Sequence, residues 1–217
     1  MLRRPFLRTL LATLAFGLTL SAGASEPIFT PLQQQQTTDN PGKIEVVEFF
    51  SYGCPHCGQL YPTLSAWAAK LPANVVLRKI PVSFGRSAWA NLARIHYTLE
   101  TLGELGRLEA AVFKAMQQRI ALYDEKALRE WLAKEGVNTQ KFFEVYASFG
   151  IQSKVARGDQ LSESYRLALP PALANQFGVP ALFVDGRYLI GGRNFDDMLA
   201  NATKMIERAQ TERDKKY

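Results

Sequence analysis

From residue 44 to 50 the chain reads IEVVEFF, a β-branched and aromatic run that stops at Ser51-Tyr52-Gly53. Such a run predicts a central strand buried on both faces. The period then changes. Leu60, Leu64, Trp67, Ala68 and Leu71 recur at helical spacing up to the Leu71-Pro72 break, with Pro55 at the start, where a proline fits a first helical position. VVLRKIPV at 75–82 predicts a second strand and completes a β-α-β unit. From 86 to 168 the texture is helical throughout, with Trp89, Leu92, Ala93, Ile95 and Leu99 along one face. ELGRLEAAVFKAMQQRIALY, DEKALREWLAKEG and TQKFFEVYASFG follow, each opening on an acidic or capping residue and the last two ending in glycine, before IQSKVARGDQLSESYRLAL. Strands return in GVPALFVDGRYLIGG, where Asp185-Gly186 between two apolar runs signals a hairpin. A last helix at about 196–212 places Met198, Leu199, Ala202 and Ile206 on one face, and the polar stretch at 26–43 allows a short edge strand near Phe29. The predicted order is β-α-β, helical insert, β-β-α, an α/β class.

The first two dozen residues read differently. MLRRPFLR is basic, TLLATLAFGLTL is apolar and Ala22-Gly23-Ala24 supplies small residues, the pattern of a cleavable secretory signal peptide at 1–24. Its removal would leave 193 residues starting near Ser25 and, with Arg3, Arg4 and Arg8 gone, would lower the net charge from +6 to +3. That charge is too mild to argue for nucleic acid. Export implies a compartment where disulfides form, yet small stapled frameworks carry many cysteines and this chain carries two. A Cys54–Cys57 bridge closes a loop so short that chain entropy values it at roughly 2 kcal/mol, against about 3 kcal/mol for a 15-residue loop. The pair is poorly placed as a staple.

Reactivity explains it better. With Pro55 first in the helix, Cys54 falls at the N-cap, His56 at the second position and Cys57 at the third. Unpaired N–H groups and the positive end of the helix dipole favour a thiolate at the N-cap, and a donating His56 adds to this. A thiolate stabilised in the reduced protein makes the disulfide easier to reduce and the protein a better oxidant. Cys54 is then the attacked sulfur and Cys57, facing inward, the resolving one. A thiol reductase or disulfide isomerase is the alternative within the same chemistry. A copper or zinc carrier is the alternative outside it, although Cys54, Cys57 and His56 supply at most three of the four ligands of a closed zinc site. His96, on a predicted helix, is a surface or packing residue. Glu48 and Lys79 interrupt the two adjacent strands; either they pair in the interior, with Glu48 able to take a proton from Cys57, or each reaches water near a strand end. Pro62 lies inside the first helix. Pro180 opens a predicted strand, where a cis bond fits, although only about one X-Pro bond in twenty is cis.

EFFSYGCPHC, the Lys79 strand, the intervening helices and GVPALFVDGRYLIGG together resemble the DsbA family of periplasmic thiol-disulfide oxidases over nearly all of residues 44–212. The resemblance implies a thioredoxin-like fold with an inserted all-helical domain. Its parts would be an N-terminal arm at 25–43, a discontinuous thioredoxin-like domain at 44–85 and 169–217, and a helical insert at 86–168. It implies Cys54 and Cys57 as catalytic residues joined in a redox-active disulfide, with no other cofactor and no metal. Pro55 and His56 tune that disulfide, Glu48 and Lys79 form a buried charge pair and proton relay, and Val179 with a cis Pro180 forms the loop that grips substrate. The implied partners of a monomeric, periplasmic protein are reduced unfolded or partly folded exported proteins and a quinone-linked membrane reoxidase of the DsbB type. One segment departs from the family: LALPPALANQF, 167–177, is longer than the expected connection. It predicts about a turn and a half of extra helix after Pro170-Pro171 and a reshaped wall of the substrate groove.

Overall fold

The computed structural model describes residues 28–40 and 42–215. The expected signal at 1–24 lies outside them. Among the described residues five strands form one sheet in the order β1-β5-β4-β2-β3, with β1 at Phe29–Pro31, β2 at Ile44–Phe50, β3 at Val75–Pro81, β4 at Ala181–Val184 and β5 at Tyr188–Ile190. β2 is fully buried because it pairs in parallel with β3 on one side and antiparallel with β4 on the other. The short strand near Phe29 forms the far edge against β5. Asp185 and Gly186 both take positive φ, 57° and 64°, and the Arg187 N–H bonds the Val184 carbonyl at 3.1 Å. Asp-Gly thus makes the turn of the expected hairpin, although the register pairs Val184 with Tyr188, so that three residues, Asp185–Arg187, join the strands.

Side-chain alternation along β2 divides the core. Ile44 and Val46 face α1 (Pro55–Ala68) and α8 (Phe195–Asp214), packing with Leu60, Leu64, Leu199 and Ala202. Val47 and Phe49 face the other way. There Tyr165 of α6 (Phe149–Leu167) and Phe177, just past the short α7 (Pro171–Ala174), close over the sheet, and Phe49 meets the rings of Tyr165, Phe177 and Phe183 edge-on at 5.2, 6.1 and 5.7 Å. Such geometry adds about 0.5–1.5 kcal/mol per pair beyond area burial. The helices α2 (Ser87–Thr101), α3 (Leu105–Gln117), α4 (Glu125–Lys134) and α5 (Thr139–Tyr146) gather a third cluster that runs from Phe50, Tyr52 and Cys57 out to Trp131 and Phe142. The helical block therefore packs directly on the end of the sheet that carries the cysteines.

Several boundaries differ from the sequence pattern. α1 stops at Ala68, short of Leu71, and runs through Pro62, whose missing N–H leaves the Gly58 carbonyl without its helical partner. Gly136, at φ 72°, follows the end of α4 as expected. Gly150 does not end a helix. Ser148 starts a new one, its Oγ accepting the Ile151 N–H at 3.3 Å, so Gly150 falls in the first turn of α6. The extra helix after Pro170 is a single turn, α7.

Candidate active site

Ser51-Tyr52-Gly53 carries the chain from β2 to Cys54, the N-cap of α1. The Cys54 N–H bonds the Ser51 carbonyl at 3.0 Å and the Gly53 N–H bonds Ser51 Oγ at 3.2 Å. Gly53 is dictated by packing, because a Cβ there would lie 2.6 Å from Trp89 Nε1. Cys54 takes the extended N-cap conformation with Pro55 first in the helix. Pro55 and His56 are exposed, Cys54 is 7% exposed and Cys57 is fully buried. His56 turns along its own helix, with Nδ1 at 3.3 Å from Gln59 Oε1.

Both cysteines are thiols in this structure. Cys54 Sγ–H donates to the Val179 carbonyl at 3.3 Å, across the Val179–Pro180 bond that is cis, and makes no cap hydrogen bond with the helix amides. Ionisation reverses that role. A thiolate has nothing to donate to Val179 and instead accepts from its neighbours, so the Cys54 pKa falls from the ordinary thiol value to about 6. The Cys57 thiol is the largest cause, the N–H groups of Cys57 and His56 and the charge of His56 add to it, and partial burial opposes it. The helix terminus that sequence reasoning put first is therefore second to the other cysteine. Cys57 moves up, chiefly because its hydrogen serves Cys54 and because it is buried.

Beneath the cysteines lie three charges where sequence reasoning expected two. Register pairs Glu48 with Lys79, but Lys79 Nζ is 3.8 Å from Glu48 Oε2, outside hydrogen-bond reach, and 2.5 Å from Glu109 Oε1 of α3. Glu48 Oε2 is left buried with no hydrogen-bond partner. Burial accordingly pushes the Glu48 carboxyl up to about 7, Lys79 pulling down and Glu109 pushing up. Lys79 Nζ is framed by Tyr61 and Phe50 at 4.7 and 4.9 Å from the ring centroids, contacts that stabilise a cation. His96 proves to be a packing residue, buried with Nδ1 at 3.1 Å from Tyr52 Oη. Burial, with Lys79 and Lys154, lowers its pKa to about 3, so it is neutral at physiological pH and its 3.8 Å approach to Glu109 is no ion pair.

Glu109 escaped the sequence because nothing local marks it among the acids of the helical block. An aromatic rim also escaped it. Trp89 lies against Gly53, Phe84 is 6.1 Å from Trp89 and 6.1 Å from Phe177, and Phe177 is two residues before Val179. The three rings thus bridge the two loops that meet at Cys54. Among the described residues no group of three or more His, Cys, Asp or Glu side chains is arranged to hold a metal, and no helix is long and apolar enough to cross a membrane.

Comparison with known proteins agrees with this geometry. The family model of the DSBA-like thioredoxin domain matches residues 45–203. The chain is 36% identical over 204 residues to the thiol:disulfide interchange protein DsbA of Bordetella parapertussis, a match that covers 88% of this chain and 92% of that one. It is 36% identical over 185 residues to that of Pseudomonas syringae pv. tomato, covering 82% and 81%. The crystal structure of Pseudomonas aeruginosa DsbA aligns with a TM-score of 0.77 at 31% identity, over 86% of this chain and 94% of that one. An α/β sheet interrupted by helices, a Cys-Pro-His-Cys pair opening α1 and these relatives lead to one conclusion: the chain belongs to the DsbA-like thioredoxin-domain family of thiol:disulfide oxidoreductases.

Proposed function

We infer that this oxidoreductase works as an oxidase of exported proteins, in the periplasm, with the Cys54–Cys57 disulfide as its redox group. The observation that carries the reading is the lowered pKa of Cys54 at the mouth of α1. A substrate thiolate attacks Cys54 Sγ; the Cys54–Cys57 bond breaks, and Cys57 leaves with the electron pair. A second substrate thiolate then attacks the substrate sulfur of the mixed disulfide, releasing Cys54 as a thiolate. The substrate is oxidised by two electrons and the protein is reduced. A good leaving group has a low pKa, and Cys54 meets that need.

Cys57 is the poorer leaving group and must take up a proton. Glu48, with a carboxyl that titrates at about 7, is suited to exchange one with it, and Lys79 and Glu109 hold Glu48 near that balance point. Pro55 starts the helix without a wasted N–H, and His56 adds positive charge beside the sulfur. The Val179 carbonyl, which accepts from Cys54 in the resting dithiol, and Pro180 form the loop against which a substrate backbone lies. The aromatic rim of Trp89, Phe84 and Phe177 receives apolar side chains beside the substrate cysteine. The sheet segments at 44–85 and 169–217 carry the redox pair, while the helices at 86–168 supply Glu109 and cover it. Reoxidation falls to a membrane partner of the DsbB type.

Mixing the oxidised protein with a reduced, unfolded polypeptide tests this directly. Two substrate thiols should disappear for each Cys54–Cys57 disulfide consumed. An oxidised protein that leaves such thiols intact, or that works only when supplied reduced and with an already oxidised substrate, contradicts an oxidase and points to a reductase.

A further inference from the structure

We propose that Asp159 is a positioning residue for polypeptide capture, acting through Ser83 to fix Phe84 in the aromatic rim; this rests on the oxidase reading above. The loop from β3 to α2 is a tight turn at Ser83–Arg86, closed by the Arg86 N–H on the Ser83 carbonyl at 3.0 Å. Its two central residues, Phe84 and Gly85, both have positive φ, 46° and 73°. Glycine adopts that conformation freely. For phenylalanine it is uncommon and persists only where surrounding contacts over-determine it.

Asp159 supplies those contacts from α6. Its Oδ1 accepts the Ser83 N–H at 2.7 Å and its Oδ2 accepts the Ser83 hydroxyl at 2.5 Å. Ser83 Oγ in turn accepts the Gly85 N–H at 3.1 Å. The carboxylate thus holds the first residue of the turn at two points, and Ser83, itself buried, passes the constraint on to the turn's centre. Gly158 makes this reach feasible. A Cβ there would lie 3.0 Å from Tyr97 Oη and 3.1 Å from the Pro81 carbonyl, so a side chain would press α6 away from the end of β3.

The clasp leaves Phe84 39% exposed between Trp89, which lies on Gly53, and Phe177, which leads into Val179. Phe84 is not among the groups that shift the titration of either cysteine. Releasing it should therefore weaken the hold on an extended chain without altering the sulfur chemistry, and a helix of the insert would set the shape of the groove from behind.

The test compares two thiol probes in single-turnover reactions of the purified oxidised protein, with KM the half-saturating probe concentration and kcat the limiting rate: dithiothreitol, too small to need the rim, and a fluorescent peptide with two cysteines flanked by apolar residues. Asp159→Ala should raise KM for the peptide about tenfold, the loss of two charge-assisted hydrogen bonds moving an equilibrium by at least that much, while kcat, the dithiothreitol rate and the Cys54 titration stay within about twofold. Asp159→Asn keeps an acceptor for the Ser83 N–H and should fall between, and Ser83→Ala, which removes both hydrogen bonds of the hydroxyl, to Asp159 and from the Gly85 N–H, and keeps only that of the Ser83 N–H, should also raise KM about tenfold. Wild-type KM in both alanine variants, or equal slowing on both probes, overturns the proposal alone. A wild type inert toward both probes overturns the oxidase reading and the proposal with it.

Discussion

Cys54→Ser is expected to lower the rate of substrate oxidation by at least about a thousandfold, the scale of losing the reacting atom itself. The variant cannot form the disulfide, so no electron acceptor remains. Cys57→Ser removes the same disulfide, yet the two variants should behave differently. With Cys57 replaced, the Cys54 thiolate can still attack an oxidised substrate, forming one bond to sulfur and expelling a substrate thiolate. No second protein thiol is left to resolve the mixed disulfide, so only the expelled substrate thiolate can reverse it and the adduct accumulates. Gel electrophoresis without reductant should show that adduct in Cys57→Ser and not in Cys54→Ser. The reverse pattern would mean that the buried sulfur is the attacked one, against a Cys57 that is fully buried.

The largest effect on stability is expected at Lys79. Replacing it with methionine keeps most of its stem against Phe50 and Tyr61 but leaves Glu48, 1% exposed, and Glu109, 12% exposed, facing each other with no cation. Removing one partner of a buried charge group costs about 3–5 kcal/mol. The deficit should depend on pH in a definite sense. Glu48 already titrates above an unfolded glutamate, and losing Lys79 raises it further. A raised carboxyl contributes stability that is complete below the unfolded pKa of about 4.3 and is lost as pH rises through the folded value. Urea unfolding of Lys79→Met should therefore show its greatest deficit near pH 8 and much of it recovered near pH 5. A deficit independent of pH would mean that packing, not charge, sets the role of Lys79.

The central strand, the helix that opens at Pro55 and the Asp185-Gly186 hairpin were legible because each rests on a local signal: a continuous apolar run, a fixed φ, a turn that needs two positive φ values. Cys54 and Cys57 were legible for the same reason. Glu48 and Lys79 could be suspected because a charge inside an apolar strand is anomalous in itself. Glu109 gave no such sign. An acid on an amphipathic helix belongs there, and only the packing of α3 against the end of the sheet brings its carboxylate to Lys79. Gly158-Asp159 was silent in the same way, as two ordinary residues in a polar helical stretch until α6 crosses β3. Gly150 misled because a glycine after a helical run usually ends it, whereas Ser148 offered a stronger start.

Most depends on the sulfur of Cys54 being held as an anion near neutral pH. Its folded pKa, about 6, lies below the value of about 8.5 for free cysteine. The reduced fold therefore gains stability that is fully present above about pH 8.5 and is lost as pH falls through about 6, whereas the disulfide form has no such thiol to titrate. The direct measurement is the ultraviolet absorbance of the thiolate in the reduced protein as pH is lowered, with Cys57→Ser as a reference for the contribution of its neighbour. The wild type should lose its thiolate signal with a midpoint near 6, and Cys57→Ser, whose hydroxyl donates in place of the thiol, should also titrate below free cysteine. A midpoint near 8.5 in the wild type contradicts a stabilised thiolate and with it the oxidising role of this disulfide.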